Sequence, residues 1–360
     1  MDADRAPRRL RGSGLRPVNR FGGPRRAADP DHAQDGPQGA AWLEDPSTRY
    51  IPDRSRSIVS TNDSPDIGFR HSVNPYRGCL HGCSYCYARP THEYLGLDAG
   101  LDFESTIVYK PEAGSLFREF LARPGWTAET VVLSGVTDPY QPVERSLGLT
   151  SACLEAAEEA GQPVSVITKN ALVLRDLDRL ARMAARGLAH VNVSLTTLDA
   201  ELARRMEPRT SLPAGRLEAI RALSAAGVPV RVMVAPVIPG LNDSEIPAIL
   251  AAAAEAGARS SASILLRLPM AVGPIFLEWL DRTMPARRAR IEGLLRQTRQ
   301  GRLNDPRFGS RMRGSGEIAT RIRALHDLFA RRHGLDRPLP PLDPSGFRPP
   351  AGPGGQRRLF

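Results

Sequence analysis

Three of the four cysteines in this chain, Cys79, Cys83 and Cys86, lie within eight residues of one another. Thiolates are the ligands that hold iron–sulfur clusters and soft metal ions. Three thiolates without a fourth partner nearby leave one coordination position open, and open positions are typical of catalytic sites. The spacing therefore predicts a centre that performs chemistry. The alternative is a structural zinc site, with His81 or His92 as the fourth ligand.

The overall composition is ordinary for a soluble globular protein. Of 360 residues, 24% are charged and 41% are hydrophobic, close to the usual averages. No run of about 18 apolar residues and no apolar signal-peptide core is present, so we expect no membrane partner. Clustered thiols without even spacing suit a reducing compartment, which predicts a cytoplasmic protein.

The net charge of +10 is carried almost entirely by arginine. Such a charge is compatible with a nucleic-acid or phosphate partner. The alternative is compositional, because chains rich in Arg, Ala, Gly and Pro often come from GC-rich genomes. Both interpretations stay open at this point.

Four regions differ in composition. The first is rich in Arg, Gly, Pro and Asp without apolar periodicity, which predicts a disordered basic arm. The last is rich in Pro and Gly and is expected to be extended or disordered. The predicted regions are the arm at 1–45, the core at 46–272, a helical C-terminal extension at 273–335 and the tail at 336–360.

Within the core, short β-branched runs alternate with stretches of helical period. The predicted strands are 130–134, 164–168, 190–195, 228–234 and 263–268, with a sixth near 68–73. The predicted helices are 148–160, 172–186, 214–226 and 244–256, followed by Arg-rich helices at 286–300 and 316–332. This alternation predicts an α/β fold with parallel strands, either a partial barrel or an open doubly wound sheet. In both, ligands bind at the carboxyl ends of the strands, where the cysteine loop would lie.

The pattern Cys79-x3-Cys83-x2-Cys86, after a first strand and with an aromatic residue before the last cysteine, resembles the radical S-adenosylmethionine (SAM) superfamily. The resemblance implies a partial (β/α)6 TIM-like barrel, here with C-terminal covering helices and disordered termini. It implies that the three cysteines bind a [4Fe-4S] cluster and that SAM occupies the fourth iron. Reductive cleavage of SAM would give a 5′-deoxyadenosyl radical that abstracts hydrogen from a substrate. A one-electron reductant such as flavodoxin or ferredoxin would be a partner.

The segment 134–144 and the dipeptide Thr168-Lys169 resemble the spore photoproduct lyase-like group, and the likeness covers about residues 68–270. Members of that group carry a hydrogen-donating cysteine near the end of the second strand. This chain has Gly135 beside Ser134 there, so the activity of thymine-dimer reversal is not transferred to it. The remaining cysteine, Cys153, is expected to be a buried core residue of a helix.

The resemblance also implies roles for residues around SAM. The Tyr85 ring would shield the cluster and approach the adenine, and Tyr87 would place a hydroxyl beside SAM. Thr137 and Asp138 would contact the methionine amino group or the ribose. The alternative for Asp138 is a turn or N-cap residue before Pro139.

Two further residues end predicted strands. A lysine that ends a buried strand is costly unless its charge has a partner. For Lys169 the resemblance implies that the SAM carboxylate is this partner. Ser194 is expected to contact the same carboxylate.

Two functions from different classes fit these observations. The first is a radical SAM enzyme of unknown substrate, with DNA or RNA as the leading candidate. The segment 307–316 offers Arg, aromatic and Gly residues that suit a phosphate backbone, or it is simply a loop between two covering helices. The second is a non-catalytic nucleic-acid-binding protein stabilised by zinc or a cluster. Lys169 and Asp138 at successive strand ends favour the enzyme.

Overall fold

The computed structural model describes residues 11–22 and 48–351. The rest of the predicted basic arm and the last nine residues of the predicted tail lie outside the described residues. Among the described helices, none has both the length and the apolar character needed to cross a membrane.

Two sheets organise the described chain. The strands are β1 (Arg49–Pro52), β2 (Val59–Thr61), β3 (His71–Val73), β4 (Tyr76–Arg77), β5 (Thr106–Tyr109), β6 (Val131–Leu133), β7 (Val164–Thr168), β8 (Ala189–Ser194), β9 (Val230–Val237) and β10 (Ser260–Leu265). The larger sheet has the order β10-β9-β8-β7-β6-β3-β2. Strands β3 and β6 to β10 are parallel, and β2 runs antiparallel to β3. The smaller sheet has the order β1-β5-β4.

Helices connect the parallel strands and cover the outside of the sheet. The α-helices are Leu101–Ser105, Ala113–Leu121, Glu144–Leu147, Leu149–Ala160, Leu177–Ala185, Ala200–Met206, Pro213–Ala225, Ile246–Glu255, Val272–Thr283, Pro285–Gln297 and Gly316–Arg332. Shorter 3-10 helices span Arg89–Leu95, Ala171–Asp176 and Asp243–Glu245. Parallel strands joined by helical crossovers confirm the α/β partial (β/α)6 barrel.

Alternate residues of the parallel strands face opposite sides of the sheet. The outward positions, such as Val164, Val166 and Val191, are fully buried beneath the helices. The inward positions line the interior of the barrel, and several of them are polar, including Ser165 and Asn192. The interior is therefore a partly polar cavity, and the main apolar core lies between the sheet and its helices.

The C-terminal region differs from its prediction in one element. The helix Val272–Thr283 was not predicted, although Ile275, Phe276 and Trp279 are fully buried at helical spacing. Pro274 lies in the first turn of this helix, where proline is tolerated because its missing N–H has no intrahelical partner. The helix and its successor Pro285–Gln297 pack near the carboxyl ends of the strands, in the same apolar cluster as Tyr85.

Residues 11–22, which we call the N-terminal strap, were predicted to belong to a disordered arm but are packed on the core. The backbone N–H groups of Gly12 and Ser13 donate to the Glu104 carboxylate at 3.0 and 2.9 Å. Arg16 pairs with Asp98 and Asp102 at 2.8 and 2.9 Å. Backbone hydrogen bonds and ion pairs hold this segment in place. Its sequence therefore shows no apolar periodicity from which an ordered structure could be predicted.

The described part of the tail crosses the amino-terminal end of the barrel without forming a helix or strand. Its Asp343 N–H donates to the Gly187 carbonyl at 2.9 Å, and its Arg348 N–H donates to the Ala160 carbonyl at 2.8 Å. Both acceptors lie where a helix ends before a barrel strand begins. This part of the tail is therefore extended and seated on the end of the barrel opposite to the carboxyl ends of the strands.

We predict that Glu104→Gln lowers the free energy of unfolding by about 3 to 5 kcal/mol, because it removes the partner of a buried arginine. Glu104 pairs with Arg89 at 2.9 Å, and both side chains are fully buried. Urea denaturation measures the change. The matched control is Glu218→Gln, which breaks an exposed pair with Arg221 and is expected to cost less than about 1 kcal/mol. Equal losses in the two variants would contradict this prediction.

Candidate functional site

A cavity of about 650 Å³ lies inside the barrel and extends to the carboxyl ends of its strands. This volume is within the range of small-molecule and cofactor sites. The cavity is lined by all nine residues predicted for the site: Cys79, Cys83, Tyr85, Cys86, Tyr87, Thr137, Asp138, Lys169 and Ser194. The structure therefore brings together side chains from the cysteine loop and from the ends of three parallel strands.

The cysteine loop follows β4 and contains no regular strand or α-helix. Its start is fixed by a hydrogen bond from the Cys79 N–H to the Phe103 carbonyl at 2.9 Å. Gly78 has φ +80°, and a Cβ there would lie 2.9 Å from the carbonyl oxygens of Phe103 and Thr106. Only glycine satisfies both the backbone conformation and this close approach. The loop therefore needs Gly78 to direct the first cysteine into the cavity.

Cys79 and Cys83 are buried and Cys86 is partly buried, and the three thiols are neutral in the absence of a cation. Burial raises the pKa of Cys79 to about 12 and also raises the pKa values of Cys83 and Cys86. None of them is in a disulfide. A bound metal centre supplies the positive charge that stabilises thiolates, so this donor set fits a group with soft, cationic metal ions.

The two histidines considered for a zinc site make other contacts. His81 places Nε2 3.1 Å from the Asn170 amide nitrogen and Nδ1 3.5 Å from the Asp138 carboxylate. His92 places Nε2 2.9 Å from the Thr106 carbonyl oxygen. Across residues 11–22 and 48–351, no group of three or more Cys, His, Asp or Glu is spaced for a single metal ion. Each of the two histidines therefore has at least one ring nitrogen engaged by another protein group.

Two tyrosines flank the last cysteine. The Tyr85 hydroxyl is hydrogen-bonded to Glu207, and the Lys169 ammonium lies 5.7 Å from the centre of the Tyr85 ring. The Tyr87 hydroxyl donates to the Gly135 carbonyl at 2.7 Å, and the residue as a whole is 55% exposed. Tyr85 is therefore buried and fixed beside the lysine, whereas Tyr87 is at the accessible part of the cavity.

Thr137 and Asp138 have protein partners for most of their hydrogen-bonding capacity. The Thr137 hydroxyl donates to the Gly78 carbonyl at 2.7 Å. The Asp138 carboxylate accepts from the Thr168 hydroxyl and the Lys169 N–H, both at 2.7 Å, and from the backbone N–H two residues later at 2.9 Å. The geometry supports the turn interpretation of Asp138, which joins the loop after β6 to the end of β7.

Lys169 directly follows β7, and its side chain lines the cavity. Its ammonium donates to the Ala235 carbonyl at 3.0 Å and lies 3.4 Å from the carboxylate of Glu207. Burial lowers the pKa of Lys169 to about 8, so the ammonium is the main form at neutral pH. Ser194 ends β8, and its carbonyl accepts from Arg216 at 3.0 Å.

Glu207 is a residue of the site that the sequence reasoning missed. It is fully buried and is paired with Arg216 as well as with Lys169. It follows the short helix Ala200–Met206 and belongs to no recognisable motif. Its role depends on partners from two other elements, which no local pattern reports.

The position expected to hold a hydrogen-donating thiol lies on the cavity wall. Ser134 and Gly135 have φ of +148° and +134°, and the Ser134 hydroxyl donates to the Thr137 carbonyl at 3.0 Å. Cys153 is instead fully buried in the helix Leu149–Ala160 and does not line the cavity. The wall at Ser134 therefore presents a hydroxyl and backbone groups.

Comparisons with known proteins give a consistent result. The family model of the radical SAM superfamily matches residues 73–253. An uncharacterised protein of Mycobacterium tuberculosis is 41% identical over 233 residues, which cover 64% of this chain and 68% of that protein. An uncharacterised protein of Methanocaldococcus jannaschii is 26% identical over 178 residues, covering 49% of this chain and 64% of that protein. A solved structure of spore photoproduct lyase complexed with dinucleoside spore photoproduct has a TM-score of 0.56 at 17% identity over 79% of each chain, which shows a shared fold.

We predict that Asp138→Asn destabilises the cofactor-free protein by about 1 to 3 kcal/mol, because buried donors lose an acceptor. Urea denaturation without iron or SAM measures this effect. The control Asp281→Asn removes an exposed carboxylate that pairs with Arg288, and its effect is expected to stay below about 1 kcal/mol. If Asp138 acts only by contacting SAM, the stability of the cofactor-free protein will be unchanged.

Proposed function

The chain belongs to the radical SAM superfamily, and from this premise we propose that Cys79, Cys83 and Cys86 bind a [4Fe-4S] cluster and that SAM binds beside it. When bound, this pair supplies a 5′-deoxyadenosyl radical, formed by one-electron reductive cleavage of SAM, that abstracts hydrogen from a substrate. The observation that carries the proposal is one cavity lined by three clustered cysteines, two of them buried, and by Lys169.

Lys169 is proposed to bind the SAM carboxylate. Its partner Glu207 is shared with Arg216, so the negative charge beside the ammonium is already balanced by a second cation. A carboxylate in the cavity would complete the pairing of the lysine. Asp138 fixes the backbone of Lys169, and Ser194 offers a neighbouring hydroxyl to the same ligand.

The two tyrosines are proposed to contact the cofactor on the side of the cavity formed by the cysteine loop. Tyr85 is held by Glu207 and presents its ring to the cavity. Tyr87 is held by the Gly135 carbonyl and stands beside Cys86. The apolar lining of the cavity, including Ile167 and Met233, limits water around a reactive radical.

Nucleic acid, DNA or RNA, is the substrate class that we propose. The net charge of +10 supports an anionic partner. The solved structure that shares this fold holds a dinucleoside photoproduct, which supports a substrate with nucleobases. The wall residues Ser134 and Gly135 carry no thiol, so the reaction is proposed to differ from one that uses a cysteine as hydrogen donor there. The reductant is proposed to be a one-electron carrier such as flavodoxin or ferredoxin.

The first experiment is anaerobic reconstitution with iron and sulfide, followed by dithionite and SAM. We predict about four irons per chain, as one cubane cluster requires, and formation of 5′-deoxyadenosine measured by chromatography. Cys83→Ala is expected to lose the iron and the product. The matched control is Cys153→Ala, which removes a buried thiol outside the cavity and is expected to keep both. Full iron content in Cys83→Ala, or no 5′-deoxyadenosine from the wild type with or without oligonucleotide, would contradict the proposal.

We predict that Lys169→Ala weakens SAM binding by about tenfold or more, the usual effect of removing a charged hydrogen-bond donor. The iron content of the variant should stay at the wild-type level because Lys169 is not a proposed ligand of the cluster. Equilibrium dialysis with labelled SAM gives the affinity, and iron analysis of the same sample is the internal control. Wild-type SAM affinity in this variant would show that the carboxylate binds elsewhere.

A further inference from the structure

The six parallel strands leave one side of the barrel open, between β10 and the outer strand β2. Two segments meet across this opening, 62–69 and 305–313, and we call this contact the seam. The Asp66 carboxylate accepts from the Gly309 N–H at 2.6 Å and from Arg311 Nε at 2.5 Å. Asp66 and Met312, one from each segment, both line the cavity that contains the cysteines. The seam is therefore a wall of that cavity.

Arg267 lies just inside the seam, two residues after the end of β10. It is half-buried, and it lines the same cavity as the cysteines. Its Nε is buried and has no hydrogen-bond partner among the described residues. Its Nη1 is 3.5 Å from the sulfur of Met312, which is a weak acceptor. A half-buried guanidinium with so few acceptors is costly for the protein alone.

The surrounding groups compensate the charge of Arg267 only in part. Burial and the neighbouring Arg311 lower the pKa of Arg267, and the opposing effects of Tyr87 and Asp66 are smaller, so the net direction is that of an incompletely paired cation. The nearby carboxylate of Asp66 is already engaged by Arg311 and a backbone N–H. The adjacent Arg299 also has a buried Nε without a partner among the described residues, but its Nη atoms donate to the backbone carbonyls of Leu265, Leu266 and Ser310.

We propose that Arg267 binds a phosphate group of the substrate and thereby positions the substrate in the cavity lined by the cysteines. This inference rests on the proposed function, since it names a contact of the same substrate. A guanidinium matches the geometry of a phosphate because it donates two parallel hydrogen bonds. The bound phosphate would supply the acceptors that Arg267 lacks.

The SAM carboxylate is a less suitable occupant of this position. The proposed function assigns this carboxylate to Lys169, whose ammonium already reaches the Ala235 carbonyl in β9, the strand next to β10. Arg267 follows β10 beside the seam, and equilibrium dialysis with SAM distinguishes the two cations.

The surface beside the seam favours a nucleic-acid strand as the source of the phosphate. Phe308 is 60% exposed, and the Arg311 guanidinium lies 4.5 Å from the centre of its ring. An exposed aromatic ring beside arginines is a platform on which a base can stack while the backbone follows the positive charge. A strand that crosses the seam would place a base on Phe308 and a phosphate near Arg267.

The test is fluorescence anisotropy of the full chain with a labelled oligothymidylate of roughly ten nucleotides, within the usual size of single-strand sites. Arg267→Gln is expected to weaken binding by about tenfold or more. The slope of log K against log salt is expected to fall by about one, as for the loss of one phosphate contact. Arg267→Lys should give a smaller loss because it keeps the charge without the paired donors. The control Arg221→Gln removes an equal charge from an exposed position outside the cavity, and its affinity should match the wild type.

Several results would overturn the inference. These are wild-type affinity in Arg267→Gln, an equal loss in Arg221→Gln, and no binding of the oligonucleotide by the wild type. If thymidine 5′-monophosphate competes as strongly as the oligonucleotide, the phosphate belongs to a free nucleotide. That result would contradict a nucleic-acid strand as the ligand. Equilibrium dialysis of Arg267→Gln with SAM should show wild-type affinity for SAM. A weaker affinity for SAM, with oligonucleotide binding intact, would assign Arg267 to the cofactor.

Formation of 5′-deoxyadenosine by the wild type tests the proposed function separately. Circular dichroism checks that each variant is folded.

Discussion

The buried ion pair between Arg89 and Glu104 is the interaction on which the cysteine loop depends. The loop has no ladder of its own, so its carbonyl groups need donors from elsewhere. Arg89 donates to the Cys83 carbonyl at 2.9 Å and to the Gly100 carbonyl at 2.8 Å. Arg209 donates to the Leu80 carbonyl and pairs with Glu104 at 3.3 Å. One carboxylate thus pairs with both arginines that hold the loop, and it also fixes the N-terminal strap.

A second buried carboxylate, that of Glu207, likewise holds several side chains in place at the carboxyl ends of the strands. Glu207 pairs with Arg216 and Lys169 and accepts from the hydroxyls of Tyr85 and Thr196. Because charges in a low-dielectric interior must be paired, each glutamate fixes the positions of its cations. The cavity therefore has a rigid side, built from the cysteine loop and the ends of β7 and β8. The residues proposed to hold the cluster and SAM all belong to this side.

Features that depend on neighbouring residues could be predicted from the sequence, whereas contacts between residues far apart along the chain could not. The cysteine spacing and the adjacent tyrosines are local, and Lys169 is visible because it ends an apolar run. The family, the partial barrel and the convergence of these residues on one cavity were predicted on that basis. Glu104 gave no such signal because its partners Arg89 and Arg209 are 15 and 105 residues away along the chain. The N-terminal strap was missed for the same reason, since backbone groups and charges on other elements hold it.

The open side of the barrel contrasts with the rigid side. An exposed strand edge needs cover, and β10 receives it from two backbone hydrogen bonds: the Leu265 N–H to the Met312 carbonyl at 3.1 Å, and the Ser261 N–H to the Leu335 carbonyl at 2.8 Å. The two segments of the seam are joined mainly through Asp66, at its contacts with Gly309 and Arg311. The Arg311 and Asp66 side chains keep 15% and 8% of their surface exposed, whereas Arg89 and Glu104 are fully buried. We therefore propose that the substrate is accommodated at this wall rather than at the cysteine loop. This division suits the function that we propose, because a radical centre would need fixed ligands on one side and room for its substrate on the other.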